Sequence, residues 1–405
     1  MTTLVIGGGA AGCFAAAQAS ALGEEVTLIE RNDRLGKKLR ITGKGRCNVT
    51  NNCGLDTLMH SIPRGGRFLY SAFAALSPQD VMDYFEDLGV RLKTERGNRV
   101  FPESDQAAEV AEALRREMQK HRVKIIHARV TKLLTDPDGN CIGAKCGADT
   151  YKADRVILAT GGATYPGTGS EGDGYDLLRE VGHTITDIRP SLVPLETLER
   201  DCAEMMGVSL KNVTLTMKRG EKTVFTELGE MLFTHFGVSG PLVLSASAHL
   251  EPQGEYTLHI DLKPALTPEQ LDNRLQREIG EAPNKELTSL LRKLLPASMV
   301  APMIGRCGIN PHTKGNSLTK AQRQRIVTEL KDFRFSVRGT RPLEEGIITR
   351  GGVQLKEVNP GTMESKLVPN LYIVGELLDC DAYTGGFNLQ IAWSTAYLAA
   401  HAVNG

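Results

Sequence analysis

Apolar and polar positions at the start of the chain fall into short blocks of changing period. Thr3–Ile6 is a compact apolar run suited to a fully buried strand, Ala10–Leu22 is Ala-rich and of helical length, and Glu25–Glu30 is β-branched and apolar again. That order predicts a strand–helix–strand unit. Residues 31–53 keep no sustained period and are rich in Gly, Lys, Arg and Asn, so they read as a long functional loop. Helical patterns follow at 65–88 and 104–121, and strand-like stretches at 123–134 and 153–159. After Pro190 the character changes. Val213–Met217, Thr223–Thr226 and Tyr256–Leu262 predict antiparallel strands, while 267–279, 284–294 and 319–331 predict helices. From Leu371 the α/β signature returns as LYIVGE, a Gly-rich loop and a last helix at 387–402.

The expected fold class is therefore α/β: a Rossmann-like domain assembled from residues 1–190 and 346–405, interrupted by an insert over 191–345. A chain of 405 residues exceeds what a single core of about 250–300 residues accommodates, which also favours two domains. Lys+Arg and Asp+Glu are equal at 48 each, giving no global electrostatic reason for a nucleic-acid or membrane partner. The start, MTTLVIGGGAAG, has neither the basic flank nor the apolar length of a signal peptide, so a cytoplasmic protein is expected. The 8 cysteines show no CxxC pair, which favours reduced thiols over a disulfide framework. No HExxH or comparable spacing marks a metal site.

The first chemical motif is Gly7-Gly8-Gly9-Ala10-Ala11-Gly12, a GxGxxG between a strand and a helix, with Glu30 closing the next strand 18 residues after Gly12. Gly7 permits the tight turn, Gly9 lets backbone approach a pyrophosphate, Gly12 allows close helix–strand packing, and Glu30 would accept from the ribose hydroxyls. NAD and FAD share this fingerprint. Two later segments separate them: VILATGG over Val156–Gly162, containing Thr160 and Gly161, and LYIVGE, ending in Gly375-Glu376. Both resemble additional motifs of the glutathione-reductase-like FAD superfamily. Thr384-Gly385-Gly386-Phe387-Asn388-Leu389-Gln390 then leads into the last helix, whose positive end would face the flavin pyrimidine.

GKGRCNVTN at 43–51, the ATGG segment, FTHFGVSGP at 233–241 and GGFNLQ together closely resemble the BaiN-like, or aminoacetone-oxidase, family of bacterial FAD-dependent oxidoreductases. The resemblance implies non-covalent FAD and an insert that mixes a β-barrel with helices. It leaves the substrate open among a bile-acid enone, a small amino ketone and a uridine of ribosomal RNA. The family commonly carries Tyr where Phe387 stands and Cys near Thr384; that hydroxyl and that thiol are absent here.

The cofactor-binding set is thus Gly7, Gly9, Ala10, Ala11, Gly12, Glu30, Thr160, Gly161, Gly375, Glu376 and Gly386 to Gln390, with Arg31, Lys38, Gly45, Thr50 and Val130 added. Arg46 would stabilise negative charge on reduced flavin or substrate, and Asn48 and Asn51 would bond its carbonyls. Cys47 reads either as a proton donor or redox thiol or as packing in a tight loop. Cys380, in LDCDAY, carries the same two readings, and Tyr383 is an acid if its hydroxyl reaches the substrate. GTGSEGDG at 167–174 is either a phosphate contact or a surface turn. His235, in FTHFGVSGP, reads as a buried, satisfied histidine in preference to a catalytic one.

The insert has one electrostatic signal: residues 263–338 hold 14 Lys/Arg against 7 Asp/Glu. A surplus of this kind is a solvated face or an RNA surface. Three activities stay open: nicotinamide-driven reduction of a C=C bond conjugated to a carbonyl in a small molecule, oxidation of a small amine with peroxide formation, and reduction of a base in RNA. With no second GxGxxG, NAD(P)H is expected as a transient donor. Oligomeric state is not legible.

Overall fold

In the computed structural model, which describes residues 1–402, the chain divides into two compact units: residues 1–191 with the segment from Pro342 onward, and residues 192–341. The last three positions of the expected range 346–405 lie outside the described residues.

The first unit is built on β1 (Thr2–Ile6), α1 (Ala10–Ala21), β2 (Glu25–Glu30), α2 (Lys37–Gly45), α3 (Ala107–Lys120), β3 (Lys124–His127), β4 (Arg155–Leu158), α4 (Asp173–Glu180), β5 (Leu371–Ile373) and α5 (Phe387–His401). Its strands form one sheet in the order β5-β4-β1-β2-β3, parallel throughout, with Val5 opposite Ile157 and Leu28. Leu4, Val5, Val156, Ile157, Leu371 and Ile373 are buried, as expected of strands covered on both faces. The C-terminal strand β5 thus completes the N-terminal sheet. α1 and α5 read as nearly all apolar or small because they are buried helices, and Trp393 of α5 packs on Phe14 of α1 with ring centroids 5.4 Å apart. The indole N–H of Trp393 donates to Val49 O at 2.9 Å.

Where the chain leaves and re-enters this unit, Arg189–Ser191 pairs antiparallel with Ile348–Arg350. Residues 192–341 form a closed six-stranded antiparallel barrel, ordered Leu195–Thr197, Gly237–Ser239, Lys222–Phe233, Ser209–Arg219, Tyr256–Asp261 and Phe333–Thr340. Val213, Leu215 and Met217 alternate inward, as do Tyr256, Leu258 and Ile260. Helices Pro268–Glu281 and Lys320–Lys331 start on capping boxes, Thr267 with Gln270 and Thr319 with Gln322. The expected α/β frame with a barrel-plus-helix insert is what the chain adopts.

Several expectations need correction. The stretch 31–53 is not one loop: it contains α2, interrupted at Thr42–Lys44, and the short strand Thr50–Asn51. Glycines 36, 43 and 45 hid that helix, yet Leu39 supplies a buried anchor for it. The helical stretch 65–88 is two helices, Gly66–Ala75 and Pro78–Asp87, parted by a Ser77–Asp80 capping box. The stretch 123–134 holds β3 and, separately, Lys132–Thr135, which belongs to a three-stranded antiparallel sheet.

A buried polar trio pins the end of α4 to the segment before β5. His183 Nε2 lies 2.8 Å from Ser365 Oγ and its Nδ1 3.1 Å from Glu357 Oε2. Ser365 Oγ also accepts from the Leu367 and Val368 amides, so its oxygen is fully engaged and the trio is structural. Burial lowers the His183 pKa below 6.5, only partly opposed by Glu357, and burial likewise lowers His401. A depressed histidine pKa contributes stability above 6.5 that is lost as pH falls below it, because the unfolded chain then binds the proton first. The urea midpoint should therefore drop between pH 7 and 5.5, with a slope of up to about 1.4 kcal/mol per pH unit for each such group. His183→Gln should flatten that slope; an unchanged slope refutes the assignment. Glu357, held below 4.5 by its amide and imidazole partners against the opposing effect of burial, adds a second loss only at lower pH.

Candidate functional site

A cleft of about 1390 Å³, open mouth included, runs along the carboxyl ends of β1, β2, β4 and β5. One wall is the first glycine turn. Gly7 is at φ +103°, and a Cβ on Gly12 would come 1.8 Å from Gly7 O, so α1 crosses β1 at backbone contact. By contrast, nothing lies within 4 Å of a Cβ on Gly9, which faces open space. α1 begins at Gly9 with no side-chain cap and no acid in its first turn, leaving its free N–H groups and positive end for an anion.

Glu30 closes the β2 side. Its Oε2 accepts from the Gly8 amide at 2.6 Å, and its Oε1 from the Asn32 amide at 2.7 Å, which fixes the carboxylate at the cleft edge. The opposite side carries Lys38, whose Nζ is 2.9 Å from Glu376 Oε2 and 2.8 Å from Thr164 Oγ1. Thr160 Oγ1 is buried in the wall with no hydrogen-bond partner. An uncapped helix N-terminus over an open glycine and an acid at the end of β2 fit the diphosphate and ribose hydroxyls of FAD.

Of the sequence-derived set, Gly7, Gly9, Ala10, Ala11, Glu30, Arg31, Lys38, Val130, Thr160, Gly161, Gly375, Glu376, Asn388, Leu389 and Cys380 line the cleft. Gly12 acts by packing beneath it. Gly386 lies at φ +100°, where a Cβ would come 2.3 Å from Thr50 O, so this glycine lets α5 begin against the short strand. Asn388 is at the cleft, but its amide bonds Ala382 N and O at 3.0 and 2.9 Å, holding the preceding loop.

The other candidates lie elsewhere. Arg46 does not reach the cleft: its guanidinium pairs with Glu95 and Asp105 and stacks 4.1 Å over Phe101. Cys47 is fully buried outside the lining, and burial pushes its thiol to about 12. Thr50 Oγ1 donates to Gln390 Oε1 at 2.5 Å, and Gln390 Nε2 donates to Leu76 O at 3.0 Å; the two tie the short strand to α5. Asn51 Nδ2 bonds Gly97 O and Gly385 O, each at 3.0 Å, and is spent on backbone. Gly45, Asn48, Phe387 and Tyr383 are also outside the lining; Asn48 Oδ1 is buried without a partner. Cys380 does line the cleft, and burial holds its thiol well above 9.0.

Sequence reasoning missed Asn32, Arg129 and Ile348, which line the cleft. Asp381 is fully buried beside Cys380, accepts from Ser191 Oγ at 2.6 Å, and has its carboxyl pKa raised by burial. Only its position in LDCDAY could have flagged it. The open alternative at 167–174 is also answered in part, since Thr168, Gly169, Ser170 and Asp173 line the cleft. Among the described residues no group of His, Cys, Asp and Glu could hold a metal, and no helix is long and apolar enough to cross a membrane.

A parallel sheet with this glycine turn, a returning C-terminal strand and a barrel insert defines an FAD-dependent oxidoreductase. The chain belongs to the family described as HI0933-like protein Rossmann domain, which matches residues 1–402. It is 32% identical over 405 residues to the 3-dehydro-bile acid delta(4,6)-reductase of Clostridium scindens, covering 98% of each chain. It is 31% identical to the ribosomal RNA dihydrouridine synthase of Haemophilus influenzae, covering 99% of this chain and 98% of that one. The fold also matches the solved 3-ketosteroid delta1-dehydrogenase of Sterolibacterium denitrificans, with a TM-score of 0.53, 14% identity and 98% of each chain covered.

Proposed function

We propose that this protein reduces a carbon–carbon double bond conjugated to a carbonyl, using FAD re-reduced by a transiently bound nicotinamide. One observation carries the reading. Two relatives of near-equal identity, matched end to end, are named for acting on a 3-keto steroid acid and on uridine. A dienone and a uracil ring share the same reactive unit, C=C–C=O, so the common chemistry is more informative than either substrate.

When bound, FAD supplies a two-electron hydride store that the protein itself lacks. Around it, the uncapped start of α1 would bind the diphosphate, Glu30 the adenosine ribose, and the Lys38–Glu376 pair the linking chain. The positive end of α5 would favour negative charge at the ring end of the groove. Reduction of an enone also needs a proton at the carbon next to the carbonyl. Cys380 is our candidate donor: the residue lines the cleft, its Sγ resting 4.0 Å from Gly65 O, and burial keeps the proton on sulfur at neutral pH. The preferred substrate is a small molecule. Unpaired cysteines and a nicotinamide donor suit a cytoplasmic setting.

A second substrate reading, RNA bound through the basic insert, is favoured by the H. influenzae relative. One anaerobic experiment separates the two. Photoreduced holoprotein is mixed with a steroid dienone, a uracil-containing ribosomal RNA fragment, or oxygen, and the return of oxidised flavin absorbance is followed. Faster reoxidation by the dienone supports the small-molecule reading, and by the RNA the second reading. Oxygen outpacing both sinks enone reduction in favour of an oxidase. Cys380→Ala should slow reoxidation by the preferred acceptor by about 10²-fold or more while leaving reduction by NAD(P)H unchanged.

A further inference from the structure

We propose that Arg129, Glu171 and Asp173, with Arg31, are cofactor-retaining residues that fasten the segment Pro166–Asp173 across the adenosine end of the groove. The inference rests on the FAD reading above and extends it to residues outside the glycine motif. Arg31 immediately follows Glu30, and its two terminal nitrogens grip both acids of the segment: Nη1 is 2.7 Å from Asp173 Oδ2 and Nη2 is 2.5 Å from Glu171 Oε1. Arg129, from the stretch after β3, reaches the same Asp173 oxygen at 2.9 Å. Asn32 Nδ2 adds a bond to Thr168 O at 3.1 Å and another to Glu30 Oε1 at 2.6 Å. The fastening therefore sits directly over the carboxylate expected to hold the ribose. Thr168, Gly169, Ser170 and Asp173 line the same cleft as Arg31, Asn32 and Arg129, so the fastened segment forms its outer wall.

Two features suit a strap that opens rather than a fixed wall. Its sequence is PGTGSEG, with left-handed glycines at 169 and 172 on either side of the Ser170-Glu171 dipeptide, so rotation there strains no side chain. Its closed position also depends on a glycine: a Cβ at Gly169 would meet Asn32 Nδ2 at 2.4 Å. The ion pairs are partly exposed, Glu171 at 43% and Arg129 at 61% of the side chain, so salt weakens them. A non-covalent dinucleotide entering from this end would pass under the open Ser170-Glu171 strap and be held once Arg31, anchored with Arg129 on Asp173 at the start of α4, closes on Glu171.

The test is the rate of FAD release from purified holoprotein, read as the rise in flavin fluorescence after dilution at low and high salt. Asp173→Asn, Glu171→Gln and Arg129→Gln are compared with the parent. Each single variant is expected to release FAD about three- to tenfold faster, in line with the modest strength of partly exposed ion pairs. Salt should speed release from the parent more than from Asp173→Asn. Gly169→Ala, which lifts the strap without removing a charge, should also release faster, with a salt response like the parent's. Release rates that stay within about twofold of the parent at both salt levels overturn the proposal while leaving the FAD assignment intact. A lowered thermal midpoint of the FAD-free Asp173→Asn and Arg129→Gln proteins, matching the change in release, overturns it as well by showing a purely structural role. A parent that takes up no FAD refutes the functional reading instead.

Discussion

Gly12→Val should leave the protein unable to retain flavin. A Cβ at this position would sit 1.8 Å from Gly7 O, so α1 must part from the turn that follows β1. Overpacking of this kind costs about 1–3 kcal/mol or more, which corresponds to roughly five- to 150-fold weaker binding or worse if it falls on the cofactor. Gly9→Ala makes the sharper control. Its new methyl meets no protein atom within 4 Å, so the FAD-free protein should unfold as the parent does, while flavin is lost because the methyl occupies the approach to the diphosphate. Visible flavin absorbance after gel filtration, paired with thermal melts of the FAD-free proteins, checks both. Retention of flavin by Gly9→Ala would remove the diphosphate from this turn.

Arg155→Met should be the most damaging substitution away from the cleft. The Arg155 side chain is 3% exposed and bonds four partners: Glu24 Oε1 at 2.7 Å, Thr3 Oγ1 at 2.9 Å, and the carbonyls of Ala399 and Ala400 at 2.8 Å each. It joins β4, β1, the turn between α1 and β2, and the last turn of α5. Removal strands the Glu24 carboxylate, itself 6% exposed, and uncaps α5, at a cost of about 3–5 kcal/mol. Denaturant melts should show this loss in the unit that carries flavin, with flavin released at a lower denaturant concentration. Adding Glu24→Gln should recover part of it, because much of the cost is an unpaired buried charge. A double variant no more stable than Arg155→Met would show that the helix cap, not the charge, dominates.

How far the sequence could be read depends on where each residue's constraint originates. Gly7, Gly12 and Glu30 were legible because backbone approach and strand register impose them locally. Thr267 and Gln270 were legible because a capping box is a local bond. The helix Ala297–Cys307 escaped notice because Pro302 sits within it, and tertiary burial of Met299, Met303 and Ile304 overrides that signal. Arg46 sits outside the cleft for a different reason. Its direction is set by Glu95, Phe101 and Asp105, some fifty to sixty positions away, and no local pattern reveals a long side chain's partner. The Arg155–Glu24 pair is more remote still, at 131 positions.

The order of synthesis matters to a frame stitched together in this way. β4 is apolar and buried after Arg155, and its outer edge pairs with β5 at residues 371–373. Until α5 has followed, Arg155 also lacks the Ala399 and Ala400 carbonyls. The barrel of residues 192–341, in contrast, is contiguous and has its own core. On the ribosome the insert can therefore close first, while the earlier-made half waits with a bare sheet edge. That interval exposes the nascent chain to mispairing and to chaperones, and late truncations should be cleared as unfolded protein rather than persist as colourless enzyme.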